Sequence, residues 1–470
     1  MANERKEIIQ ARHLWWIALI GLSVIAGLVL PHVKPLFPLV GILLLVNVIV
    51  VVKYPFWGVL LYLIVFLFRP GEVYPSLAAM RIELVLGAFV LVVTILHQKV
   101  KTGKMTLPVD KITLALAAFL IAMFLSSITS YEKTQTLETC KDFLKTLIFY
   151  YLIVAIIDTR RKFAAFVIVY AAMIGKIAVD AYRSYIAGGF IHTMGVDRLA
   201  GTTSAGGDPN SLAATMAISI PLVIAGVIYF KNTFVKVGLL ALSAGMTYLI
   251  MITGSRGGLL SFVGVLCGGF LYTRHKLVAI FSVCILAVGL WTILPEQYRT
   301  RYETLVDVDD ANEVSSGRVD IWKAGLKMIV GRPITGVGAG AFQWAAASGS
   351  FGYGRFMQPH NLVIQILATT GIVGFAAWSV FFVNLVRRLR ELKGHVLKSP
   401  EHRWVSVFGK GFVVSLIGLG VAGLFGHNLY RYNWYMIAGL TVALFSLVSR
   451  EKENAAAETA PEVPSKALAK

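Results

Sequence analysis

Long apolar runs broken by short polar loops recur along the whole chain. They fall at about 14–30, 36–52, 56–68, 82–97, 112–128, 143–157, 163–185, 211–230, 235–253, 257–273, 277–294, 360–386, 405–425 and 430–449. Most approach the roughly 20 residues that carry a helix across a hydrocarbon core. In lipid a helix satisfies its backbone polar groups within itself. The pattern therefore predicts an all-α polytopic membrane protein with 12–14 transmembrane helices. Pro38 and Pro55 open two of the shorter runs, so one pair reads as a broken or re-entrant helix. The run Leu14–Leu30 lacks a cleavage-site pattern and reads as a spanning helix, not a secretory signal.

Two polar segments, 186–210 and 295–359, are too long to be mere connectors. The second is expected to hold an amphipathic helix over Arg318–Val330, with Val319, Trp322, Leu326 and Ile329 along one side. Such a helix either lies on the membrane surface or packs on the bundle. The chain thus divides into N-terminal membrane helices (1–294), a long loop (295–359), C-terminal membrane helices (360–449) and a tail (450–470). The tail is rich in Ala, Glu, Lys and Pro and is expected to be disordered.

Composition agrees with this picture and sharpens its sidedness. Hydrophobic residues make up 57% and charged residues only 15%, against about 25% charged in a typical soluble protein. The net charge of +19 would suggest nucleic acid if the chain were soluble. Here the cations gather in alternate short loops: Lys53; Lys99, Lys101, Lys104 and Lys111; Arg160, Arg161 and Lys162; Lys231 and Lys236; Arg274 and Lys276; and the stretch Arg387–Arg403. The intervening loops hold fewer: Lys34, Arg69, Arg81, Lys133, Lys141, Arg198, Arg256 and Arg431. This bias assigns the first set and both termini to the cytoplasm. Membrane lipids, not nucleic acid, are the expected partners of the charge. Cys140 stands alone and Cys267 and Cys284 lie inside apolar runs, so neither a disulfide framework nor a zinc site is indicated.

Candidate chemistry collects on the opposite, outer face. In TGSRGGLLSF (253–262), glycines surround Arg256 at a tight hairpin. The turn needs the glycines but not the arginine. A guanidinium there either anchors the helix end or offers its fixed donor fork to a phosphate. In QPHNLVIQILATTGIVG (358–374), His360 and Asn361 open a span. That imidazole is either a capping group or a proton acceptor poised near neutral pH. The loop 186–210 offers Arg198 as a candidate to join Arg256 around an anion, and Asp208-Pro209-Asn210 as a helix start. Arg318 lies in SSGRVDIWKAG (315–325), and Arg69 and Arg81 flank PGEVYPS. Three other signals carry less. The acidic string Asp307, Asp309, Asp310 lies where nucleotide sugars are scarce. Gly336, Gly338 and Gly340 lack the strand–turn–helix setting of a dinucleotide site. Lys176, Asp180 and Arg183 sit inside a span at spacings that let them neutralise one another. No Ser-His-Asp pattern has motif support.

Taken together, TGSRGG, a long outer loop carrying SGR and a Trp, and an HN-x-x-x-Q-x-L-x-x-x-G-x-x-G span resemble the O-antigen ligase and polymerase superfamily. The specific likeness covers about residues 250–375. It implies a GT-C-like membrane glycosyltransferase in the bacterial inner membrane, with its long loop and active site on the periplasmic side. It implies His360 and Arg256 as catalytic residues, with Arg198 and Arg318 on the substrate; Asn361, Arg69 and Arg81 are added as further substrate-binding candidates from their place on the same face. The expected donor is an undecaprenyl-pyrophosphate-linked glycan and the expected acceptor the lipid A–core oligosaccharide, with no metal or other cofactor. O-antigen polymerase and protein O-oligosaccharyltransferase are the alternatives within the enzyme class. A transporter or flippase for lipid-linked sugars, or a membrane scaffold, are the alternatives outside it. Transporters more often show inverted repeats and broken helices at the membrane midplane.

Overall fold

The computed structural model describes residues 36–103, 110–193, 195–203, 207–303, 308–396 and 402–459. Its chain forms two compact units, Met1–Gly58 and Val59–Lys470. In the first, α1 spans Leu36–Lys53, and α2 (Pro55–Phe68) begins there and runs on into the second. Pro38 lies in the first turn of α1 and Pro55 opens α2, positions where a missing N–H costs nothing. The run Leu14–Leu30 lies outside the described residues.

In the second unit α2 is followed by α3 (Pro70–Val73), α4 (Ile82–Thr102), α5 (Lys111–Leu125), α6 (Lys133–Ile156) and α7 (Arg160–Ile186). A small antiparallel hairpin, β1 (Ile191–Thr193) and β2 (Val196–Arg198), leads into α8 (Pro209–Tyr229), α9 (Thr233–Ile252), α10 (Arg256–Tyr272) and α11 (Lys276–Ile293). The long loop contains α12 (Glu296–Glu303), α13 (Val308–Gly331) and α14 (Phe342–Ala347). The chain closes with α15 (Leu362–Val396), α16 (Arg403–Phe425) and α17 (Tyr432–Thr459). Ten helices among the described residues are long and apolar enough to cross a membrane. This is a polytopic, all-helical membrane protein.

Helices α8 and α17 are the most buried of the spans. Helix α8 packs against α9, α10 and α16, and α10 against α16. Hydrogen bonds cross these contacts: Ser415 Oγ donates to the Ile218 carbonyl at 2.8 Å and Ser261 Oγ to the Gly418 carbonyl at 2.9 Å. Such bonds join helices where lipid removes the usual hydrophobic drive to associate. In α7, Lys176 pairs with Asp180, and its ammonium lies 4.2 Å from the centre of the Phe68 ring. Lys176 and Asp180 thus neutralise one another locally, as their spacing suggests.

Three features depart from the sequence reading. Helix α13 begins near Val308, ten residues before the expected start. Its packed face is also rotated. Ile321, Ala324 and Met328 are buried, with Trp322 and Ile329 partly so, while Val319 and Leu326 are exposed. The alternative stripe was hidden because both faces carry apolar residues at helical spacing. Helix α17 continues to Thr459, through residues expected to lose order; residues 460–470 lie outside the described ones.

The third departure is a break in α15. Gly371 has φ 62° and ψ −166°, a conformation essentially reserved for glycine. The helix break is filled by the loop before α14. Val337 and Gly338 donate to the Ala368 and Thr369 carbonyls, while Ile372 and Val373 donate to the Pro333 and Ile334 carbonyls. Backbone groups that a helix would pair internally are therefore paired by another segment. The glycine-rich 336–340 run is the docking edge of that segment, and Gly336 presses against the Thr369 backbone.

Candidate functional site

The hairpin between α9 and α10 is built by its own side chains. Ser255 caps α10, its Oγ accepting from the Gly258 N–H at 3.0 Å. Gly254 takes φ 57°, and Gly258 lets α10 approach Ala213 of α8 more closely than any side chain would allow. Arg256 therefore occupies the first turn of α10, where the helix N-terminus already favours an anion.

Two further arginines are fastened to this hairpin. Arg198, 6% exposed, donates from Nε to the Thr253 carbonyl at 2.9 Å and from Nη2 to Asn210 Oδ1 at 3.0 Å. Ser255 Oγ reaches the same Asn210 oxygen at 2.7 Å. Arg301, on α12, donates from Nε to the Gly254 carbonyl at 2.6 Å. Burial, together with the charges of Arg198 and Arg256, lowers the Arg301 guanidinium to about 10. Burial, together with Arg256, also lowers Arg318. Arg198, Arg256, Arg301 and Arg318 thus form one cationic cluster, drawn from β2, α10, α12 and α13. Tyr298 and Tyr302 hold α12 in place, donating to the Asp197 and Met251 carbonyls respectively.

His360 borders this cluster. Its backbone is left-handed, φ 47°, which turns the chain sharply into α15. Asn361 Oδ1 caps that helix, accepting from the Val363 and Ile364 N–H groups at 3.0 and 3.1 Å. The preceding carbonyl, of Pro359, accepts the Trp322 indole N–H at 2.7 Å, so α13 fixes the turn. Burial and the Arg318 charge lower the His360 imidazole below its ordinary value, with Asp208 opposing.

Behind His360 stands His427, the ring centres 5.3 Å apart and nearly edge to face. Burial, His360 and Arg431 lower His427 to about 4, so it is neutral at physiological pH. Arg431 is half-buried and donates to the Ser211 carbonyl at 3.0 Å and to Thr215 Oγ1 at 3.1 Å. Asp208 caps α8. Burial would raise its carboxyl, but hydrogen bonds from Ser211 and the nearby Arg431 and His427 outweigh this and hold it down. His427 and Arg431 open onto a cavity of about 480 Å³, shared with Arg69, Gln135, Gln343, Trp344 and Gln358.

Most of the residues expected from the sequence therefore converge. Arg256, His360, Arg198 and Arg318 form one centre. Arg69 pairs with Glu72 at 2.7 Å and lines the adjoining cavity. Asn361 serves the helix start through its side-chain oxygen. Arg81 stands elsewhere, exposed, in a 390 Å³ depression that Glu72, Glu83, Glu138 and Asp142 also line. Sequence reasoning missed Arg301, His427 and Arg431 as members of the centre. One signal for His427 was present: His427-Asn428-Leu429 repeats the tripeptide His360-Asn361-Leu362. Asp307, and the side chains of Asp309 and Asp310, lie outside what is described.

The chain is thus a multi-pass membrane bundle whose cationic donors and low-pKa imidazole gather at one end, an arrangement suited to an anionic ligand. Residues 239–379 match the family described as O-antigen ligase (Wzy_C). The likeness to that family is confined to this stretch, which runs from α9 through the long loop into α15. The matched stretch contains Arg256, Arg301, Arg318 and His360; Arg198, Asp208, His427 and Arg431 fall outside it. No curated protein matches the chain.

Proposed function

We propose that the protein transfers O-antigen glycan from undecaprenyl pyrophosphate to the lipid A–core oligosaccharide, at the periplasmic face of the bacterial inner membrane. The observation that carries this reading is the placing of a half-buried imidazole of lowered pKa beside a cluster of four arginines. An acceptor hydroxyl attacks the anomeric carbon and gives its proton to His360. The bond from that carbon to the pyrophosphate oxygen breaks, and its electron pair leaves with undecaprenyl pyrophosphate. Arg256, with Arg198, Arg301 and Arg318, balances the charge growing on the leaving group, the kind of fixed electrostatic support that needs no reorganisation during reaction. Displacement from the opposite face inverts the sugar. No step requires a metal. The amide-lined cavity beside His427 is of a size and polarity to seat a sugar ring.

A flippase would also need cations facing a pyrophosphate, and the break at Gly371 is a feature shared with transporters. Here the backbone groups freed at the break are paired by residues 333–338 and not left to a solute, which favours transfer chemistry.

Purified protein given a defined undecaprenyl-pyrophosphate donor tests the reading. Lipid A–core, a second donor molecule and a pilin-type protein are offered as separate acceptors. Product on lipid A–core alone supports the ligase; product on either other acceptor reassigns it to polymerase or protein glycosyltransferase. His360→Ala is expected to lower the rate by about 10²–10⁴ and Arg256→Ala to abolish transfer, while both variants insert normally. Full activity in either variant removes that residue from the mechanism, and loss of activity with EDTA that metal restores refutes the metal-free route.

A further inference from the structure

At the end of the bundle opposite the arginine cluster, a groove of about 630 Å³ runs between α15 and α16. Phe382, Val386, Leu389 and Leu392 form one wall, and Val405, Val413, Leu416 and Ile417 the other. Gly409 leaves its floor open: the closest atom to a side chain placed there is Leu392 Cδ2, at 3.7 Å. From Lys393 back to Phe382 the groove follows α15 for roughly 16 Å at 1.5 Å per residue. That equals about half of a 30 Å hydrocarbon core, the depth of one leaflet's acyl chains.

Three cations line this groove: Arg390 and Lys393 at the end nearest the C-terminus of α15, and Lys410 part-way along the α16 wall. Among the described residues no carboxylate lines it. The acidic residue beside them in sequence, Glu391, pairs with Arg388 at 3.1 Å, and Arg388 also holds Asp110 at 2.9 Å. Lys410 lies two turns inside α16, exposed, with its ammonium 5.8 Å from the Tyr272 ring centre. A charged residue placed that far into a spanning helix needs an anionic or aqueous counterpart. Apolar walls one leaflet deep, with two cations at the end and a third beside a phenol part-way along, match a single amphiphile with an anionic head.

We propose that this groove is a binding site for an anionic diacyl phospholipid of the leaflet at that end. An acyl chain lies between α15 and α16, and the phosphate is held by Arg390, Lys393 and Lys410. The site is independent of the glycosyl-transfer reading, since none of its residues touches the arginine cluster or the histidine pair.

The test uses full-length protein reconstituted in phosphatidylcholine nanodiscs with a spin-labelled phosphatidylglycerol probe, its immobilised fraction read by electron paramagnetic resonance. The wild type is expected to immobilise the phosphatidylglycerol probe and to do so far less with a spin-labelled phosphatidylcholine. Each single change, Arg390→Gln, Lys393→Gln or Lys410→Gln, should weaken binding about fivefold. Gly409→Leu, which fills the floor without touching charge, should also displace the probe. Neutralising Arg160 and Arg161, exposed cations outside the groove, should not. Equal immobilisation of both probes, or retention in the triple Gln variant, overturns the proposal. So does equal loss in the Arg160/Arg161 control, which would mean only a diffuse surface field.

Discussion

His360 combines three local facts: a left-handed backbone, a ring against His427, and a charge environment set by other elements. Burial and Arg318 lower its imidazole while Asp208 opposes them. A lowered imidazole loses its proton below the usual value of about 6.5, so the base form prevails at neutral pH and is lost as pH falls. The acid limb of kcat/KM is therefore expected below 6.5. Removing a cation with Arg318→Gln should move that limb upward, and removing an anion with Asp208→Asn should move it downward. Profiles of the two variants that stay superimposed on the wild type would mean that another group titrates. Arg256 and His360 were legible as motif residues because their local settings, a glycine hairpin and a helix start, announce them. His427 was legible only through its repeated His-Asn-Leu tripeptide, and Arg301 was not. Nothing in the QYRTRYE segment distinguishes Arg301, which rests on the Gly254 carbonyl, from Arg299, which turns back to the Leu294 carbonyl.

At the scale of elements, hydropathy located nearly every helix, because a span must be apolar along its length whatever it packs against. It did not locate the break in α15. Gly371 stands in an apolar run that reads as uninterrupted helix, and only the approach of residues 333–338 gives its backbone groups other partners. Gly371→Ala is expected to destabilise the fold by about 3 kcal/mol, the upper part of the range for a non-glycine residue in such a conformation. The added methyl would also meet the Ile334 carbonyl. Thermal unfolding in detergent measures this, with Gly245→Ala as a control at a helical position with open space. A Gly371→Ala protein as stable as that control would show that α15 can close into a continuous helix. The rotated face of α13 teaches the same lesson, since the choice between its two apolar stripes depends on Val337, Phe342 and Ala368 arriving from elsewhere.

At the scale of the molecule, the fold brings four arginines from four elements into one centre, where they repel one another. Folding bears that repulsion and an anion relieves it. Inorganic pyrophosphate is accordingly expected to raise the thermal midpoint of the ligand-free protein, because a ligand that binds only the folded state stabilises it. The rise should shrink with added salt and vanish in the Arg256→Gln/Arg318→Gln double variant; an equal rise in that variant would place the anion elsewhere. The sequence by itself determined the membrane class, the helices and the two leading residues of the centre. Those follow from one-dimensional properties: the length of an apolar run, a glycine-flanked turn, a polar residue at a helix start. Which arginines share a centre, that a second histidine stands behind the first, and that α15 is broken and plugged were decided only by the tertiary structure. Electrostatic coupling and backbone pairing depend on distances between segments far apart in the chain, and the order of residues does not contain those distances.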